Sequence, residues 1–258
     1  MHSKRTQYKS LITPILFIIG ILGIWELLVN FFSIPEYLLP SPVMITKEIG
    51  ANLNLYLFHS GITVFETVSG YMIANILGFL VAILFTYSKT IEQGLYPYAI
   101  AIKTTPIIAI APILVVWLGS GTASKIVTSA LICFFPMLVN ATKGFSSIDK
   151  DAFDLLRSLK STKVQIFTKL RFPTALPYIF SALKISTGLA VVGAIVGEFV
   201  GAKYGLGFLT LTASYYLDTT KMFAAVAMSA FIGIIFFFII SQIEKKIIFW
   251  HKANNILE

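Results

Sequence analysis

The chain has 258 residues, of which 57% are hydrophobic and only 12% charged, with a formal charge of +8. So little polar surface cannot clothe a single water-soluble core, which excludes an ordinary soluble enzyme and makes a bilayer the expected solvent. The positive charge forms no basic stripe with interleaved aromatics, which excludes a nucleic-acid binder; it sits between apolar runs, as the positive-inside rule describes.

Apolar windows of about 20 residues, enough to cross ~30 Å of hydrocarbon, predict six transmembrane helices near residues 11–32, 61–87, 95–118, 126–143, 177–200 and 222–243. Helices rather than strands follow because lipid leaves no backbone N–H or C=O unpaired and the runs are too long for a membrane β-barrel. Lys4, Arg5 and Lys9 precede the first run, but no small-x-small cleavage site follows it, so it reads as an uncleaved first span. With the N-terminus inside, the inner segments, including Lys89, Lys143, Lys150, Lys245, Lys246 and Lys252, hold fourteen Lys and Arg; the outer ones hold four, Lys47, Lys125, Lys203 and Lys221. Both termini are therefore expected in the cytoplasm, with residues 1–258 forming one membrane domain.

Residues 33–60 fall outside on this topology, and Ile34-Pro35 and Leu39-Pro40-Ser41-Pro42 interrupt any helix there, so the segment is expected along the outer interface. Pro106 and Pro112 in the third span free backbone carbonyls, which a helix bordering a pore tolerates. Cys133 lies alone in an apolar run and reads as a packing residue. Glu26, Glu66, Lys103 and Glu198 fall in or at the ends of spans, where a charge costs about 2.5–3.5 kcal/mol and needs a partner, a polar cavity or the interface. Glu198 fits either a pathway gate or a structural pair; Lys103 calls for a glutamate. Gly193, Gly197 and Gly201 recur every four residues, the pattern of a close helix contact, within the chain or between two copies.

The informative connection is the inner loop 144–176. Ala152, Leu155, Leu156 and Leu159 recur at helical spacing with Asp151, Asp154, Arg157, Ser158 and Lys160 between them, predicting a short amphipathic helix. Thr162 and Gln165 form a capping box, so a second helix begins there, presents Ile166, Phe167 and Leu170, and stops before Pro173. Such a hairpin either inserts into a groove on a soluble partner or packs on its own membrane domain.

Asp154-Leu155-Leu156, Lys160, Phe172-Pro173 and Ala175-Leu176-Pro177 resemble the cytoplasmic Glu-Ala-Ala loop of ABC importer permeases. Leu39-Pro40-Ser41-Pro42, Trp117-Leu118-Gly119, Gly197-Glu198-Phe199 and Gly205-Leu206-Gly207 extend the resemblance to the nitrate, sulfonate and taurine branch. Two positions depart: Asp154 stands where the family has Glu, and Lys160 where it has Gly. A residue in the left-handed region costs roughly 1 kcal/mol more than Gly. The resemblance implies a type I importer permease fold in the bacterial inner membrane. It implies two permease copies, in a homodimer, on two ATPases that bind ATP and Mg, and an extracytoplasmic binding protein that delivers the solute. Asp154, Leu155, Leu156, Arg157, Leu159, Lys160, Pro173 and Pro177 would then form the coupling segment. Solutes in that branch include nitrate, sulfonates, taurine, bicarbonate and thiamine-precursor pyrimidines, with the last favoured by residues 197–202.

No nucleotide loop exists in the chain: Gly119-Ser120-Gly121-Thr122-Ala123-Ser124-Lys125 lacks the second glycine of a P-loop. His2, His59 and His251 are too scattered for a metal site. An ion-gradient-driven transporter or channel is the alternative the intramembrane charges leave open, whereas an intramembrane enzyme lacks converging catalytic groups.

Overall fold

The computed structural model describes residues 2–249 as an all-helical membrane bundle. His251 and Lys252 lie outside the described residues, as do the side chains of His2, Lys4, Arg5 and Lys9. The helices are α1 (His2–Phe31), α2 (Pro42–Ala51), α3 (Leu53–Tyr87), α4 (Lys89–Thr104), α5 (Ile107–Leu118), α6 (Thr122–Ser146), α7 (Lys150–Ser158), α8 (Lys163–Ile166), α9 (Phe172–Phe199), α10 (Leu206–Tyr215) and α11 (Thr219–Ile247). By length and composition α3, α6, α11 and the joined segment Lys163–Phe199 are each able to cross a bilayer; α1 contributes the shorter apolar stretch Leu16–Phe31.

Helix α6 is the hub. From Ser124 to Thr142 none of its residues is exposed, because α3 and α9 flank it along its length. Small residues allow this approach: a Cβ on Gly70 would meet Ser129 Cβ at 2.6 Å, and one on Gly193 would meet Ser129 Cα at 2.6 Å. Ser129 donates to Ala190 O at 3.0 Å, so the hydroxyl is satisfied inside the bundle where lipid offers no partner. The Cys133 thiol is likewise buried against Ser186 O at 3.4 Å.

Three predicted elements differ. The span 95–118 is not one helix: α4 and α5 meet at a 99° bend, a broken span or re-entrant loop. The cause is local. Thr105 precedes Pro106, is extended (φ −73°, ψ 127°), and the proline has no N–H to continue the ladder. Thr104 and Thr105 hydroxyls both turn back to Ala101 O at 3.0 and 2.9 Å, covering a carbonyl beside the break.

The stretch 33–60, in which the prolines were expected to interrupt any helix, holds the short helix α2 and the start of α3, ahead of the predicted span 61–87. Ser41 caps α2, Pro42 takes its first turn, and the Glu26 carboxylate accepts from Val43 N at 3.1 Å. Thr219 and Thr220 tie this segment to the start of α11 through Tyr37 O (2.6 Å) and Glu36 Oε1 (2.7 Å), and α3 already begins at Leu53. Finally, Pro173 does not stop the second loop helix. Residues Phe167–Arg171 form a π turn that passes directly into α9, with Phe172 N reaching Phe167 O. A widened turn accommodates prolines that cannot donate, so Pro173 and Pro177 are half-buried helical residues and the loop between membrane helices ends at about Thr162 rather than 176.

Candidate functional site

The α7–α8 hairpin is built by local capping. Asp149 accepts from Ala152 N at 2.8 Å and opens α7. The helix closes with Lys160 N donating to Arg157 O at 2.9 Å and Ser161 N to Leu156 O at 3.0 Å, the paired bonds of a Schellman end. Lys160 occupies the left-handed position at φ +54°, so the chain adopts the turn its lysine disfavours. One residue after Ser161 the capping box is complete: Thr162 Oγ1 accepts from Gln165 N at 3.2 Å and Gln165 Oε1 from Thr162 N at 2.8 Å.

This geometry splits the predicted apolar face. Ala152 and Leu156 turn partly inward, whereas Leu155 and Leu159 are 60% and 67% exposed and are joined by Val164 at 67%. Asp154, Arg157 and Lys160 are exposed around them. Three large apolar side chains bordered by charge, on capped helices of nine and four residues, make a small rigid surface able to fill a groove.

At the opposite end of α9 lies a closed polar cluster. Glu198 is 1% exposed; its Oε1 accepts from Thr63 Oγ1 at 2.6 Å and its Oε2 from Gly207 N at the start of α10. Thr63 Oγ1 accepts in turn from Leu206 N at 2.9 Å, and His59 Nδ1 from Gly205 N at 2.9 Å. The first amides of α10 thus find acceptors on α3 and α9, as the unpaired N–H groups of a helix N-terminus require. Gly205 is required twice: its φ is +113°, and a Cβ there would overlap the Glu198 carboxyl group. Glu66 adjoins Glu198, and Lys125, 1% exposed, donates to Ser120 O at 2.7 Å.

The other predicted residues scatter. Pro106 starts α5 and Pro112 lies within it, both exposed on the chain's surface. Gly193 and Gly197 face α6, where a Cβ on Gly197 would meet Lys125 Cα at 3.0 Å; Gly201 is beyond the end of α9 in a turn at φ +70°, so it is not part of that helix face. Lys103 meets a ring rather than a glutamate, its Nζ 4.5 Å from the Phe135 centroid. A lysine that does pair with a glutamate is Lys184, whose Nζ lies 2.7 Å from Glu244 and joins α9 to the last turns of α11. Sequence reasoning passed over it, although a lysine inside the run 177–200 was itself a signal.

Comparison with known proteins gives concordant findings. The family described as "Binding-protein-dependent transport system inner membrane component" matches residues 74–249. The formylaminopyrimidine transport permease protein ThiX of Halalkalibacterium halodurans is 33% identical over 251 residues, 97% of this chain and 100% of that one. The putative aliphatic sulfonates transport permease protein SsuC of Bacillus subtilis is 29% identical, covering 95% of this chain and 88% of its own. Among solved structures, the inward-facing MetNI methionine ABC transporter matches with a TM-score of 0.67 at 19% identity, over 75% of this chain and 96% of that chain, a likeness of fold.

Two substitutions separate the local claims. Gly205→Ala should lower folded stability by more than about 2 kcal/mol, since both strain and overlap are introduced; thermal unfolding in detergent reads it, and a melting point equal to that of the parent would contradict the cluster. Lys160→Gly should stabilise the α7 end by about 1 kcal/mol. Slower amide exchange at Ser161, the donor of the outer capping bond, is the expected sign.

Proposed function

We infer a mechanism from one premise: this chain belongs to the family of binding-protein-dependent transport system inner membrane components. It is the permease of an ABC importer, and that family membership displaces the ion-gradient alternative. In the proposed assembly two copies sit in the bacterial inner membrane as a homodimer, each with six crossings and cytoplasmic termini. ATP and Mg2+ are bound by a separate ATPase pair, because the sequence carries no P-loop. An extracytoplasmic binding protein supplies the solute.

The α7–α8 hairpin is the surface that docks in the ATPase. The observation that carries this is the exposure of Leu155, Leu159 and Val164 on a capped hairpin edged by Asp154, Arg157 and Lys160. ATP binding closes the ATPases and displaces the docked hairpins; the hairpin continues through the π turn into α9, so the displacement enters the membrane bundle along a helix that packs on the hub. The two bundles then exchange inward-facing for outward-facing states, and hydrolysis resets them. The broken α4–α5 segment, with Pro106 and Pro112, borders the path between the copies. Glu198 serves as the fastening of α10, closing the end that faces the binding protein.

The solute is read as a small nitrogen heteroaromatic of the aminopyrimidine kind, supported by the full-length similarity to a formylaminopyrimidine permease. Thermal stabilisation of the cognate binding protein by formylaminopyrimidine, and none by taurine or nitrate, checks that reading; the reverse pattern refutes it. For docking, burial of each leucine is worth about 1.5–3 kcal/mol. The double variant Leu155→Asp/Leu159→Asp is therefore expected to weaken association with the ATPase at least about 100-fold. Undiminished copurification and transport would remove the hairpin from the interface.

A further inference from the structure

Arg171, the last residue of the π turn, makes two contacts that docking itself does not use. Its Nη1 donates to Phe145 O at 3.1 Å, a carbonyl in the final turn of α6, where helix carbonyls lack intrahelical partners and carry the negative end of the dipole. Its guanidinium also lies 5.8 Å from the centroid of the Phe153 ring on α7, and that ring has Arg157 at 5.9 Å as well. One planar cation therefore joins three segments: the end of α6, the middle of α7 and the start of the α9 rod. Around it the Phe145 ring is fully buried and packs on Phe167 at 5.3 Å and Phe79 at 5.8 Å, so the carbonyl it grips belongs to a packed point of the bundle.

We propose that Arg171 is a positioning residue for coupling: it fastens the α7–α8 hairpin to the hub helix α6, so that displacement of the docked hairpin moves α6 together with α9. This rests on the docking reading above. Both halves of the grip are needed. A lysine can reach the carbonyl but brings no planar group to the ring, and a glutamine brings no charge to the helix terminus. Without the grip the hairpin is joined to α6 by the three-residue link 147–149 and to α9 by the π turn, a widened and weakly bonded segment, and the angle of α7 against α6 is left to those connections and to apolar packing.

The test uses the assembled importer in nanodiscs, with spin labels at Ser158→Cys and Ser146→Cys in a Cys133→Ala background, and ATP with orthovanadate as the probe. With Arg171 present, the distance between the ends of α7 and α6 is expected to be narrowly distributed and unmoved by ATP. Arg171→Gln should lose the narrow peak and acquire an ATP-dependent shift while still copurifying with the ATPase, and Arg171→Lys should fall between. Distributions for both variants identical to the parent's would overturn the proposal, as would loss of copurification in either, which would make the arginine a docking contact. Should Arg171→Gln fail to assemble as a folded chain, the lysine variant decides alone. Failure of the parent chain to bind the ATPase would instead sink the docking reading.

Discussion

In hydrocarbon a polar group finds its partner within the chain or pays several kcal/mol for its absence, and the architecture of this protein follows from that constraint. The first amides of α10 are placed where water is scarce, so Glu198, Thr63 and His59 are brought to them from two other helices. The carbonyl of Ala101, beside the α4–α5 break, is covered by two threonine hydroxyls. At the other end of α9, prolines that cannot donate are preceded by a π turn that closes the ladder in a different register. Irregular backbone occurs here with its own supply of partners.

The same constraint identifies the hairpin. Exposed leucines, isoleucines and phenylalanines on α1, α3 and α11 need no explanation beyond lipid. Leu155, Leu159 and Val164 are different, because they stand among Asp154, Arg157 and Lys160 on short capped helices outside the long apolar runs. Helix α9 spans 28 residues, about 42 Å, between that hairpin and the Glu198 cluster. The rod, with the proposed docking hairpin at one end and the fastened α10 at the other, lies along α6, against which Gly193 and Gly197 hold it at backbone distance.

Much of this was legible in the sequence, and the failures have identifiable causes. The Thr162–Gln165 capping box and the amphipathic period of α7 are local signals, and both were found where they were expected. The stop at Pro173 was a sound local inference overridden by tertiary packing: Phe167, Phe145 and Phe172 form an aromatic group that stabilises a continuous, widened helix. Treating 95–118 as one span weighed total hydropathy above the Thr105-Pro106 dipeptide, which marked the break. The inward turn of Leu156 and the grip of Arg171 on Phe145 O were invisible, because both depend on tertiary packing, the second across 26 residues of sequence. Lys184 and Glu244 were legible singly but not as a pair, since nothing in the sequence orients α9 against α11.

The proposed docking hairpin is expected to face the cytoplasm and to be covered by an ATPase. A single cysteine at Val164→Cys, in a Cys133→Ala background, reports this through a membrane-impermeant maleimide. Inside-out vesicles stripped of the ATPase should label, readdition of the ATPase should protect the site, and intact cells should not label. Reaction from the outer face of intact cells, or equal labelling with and without the ATPase, would contradict the account.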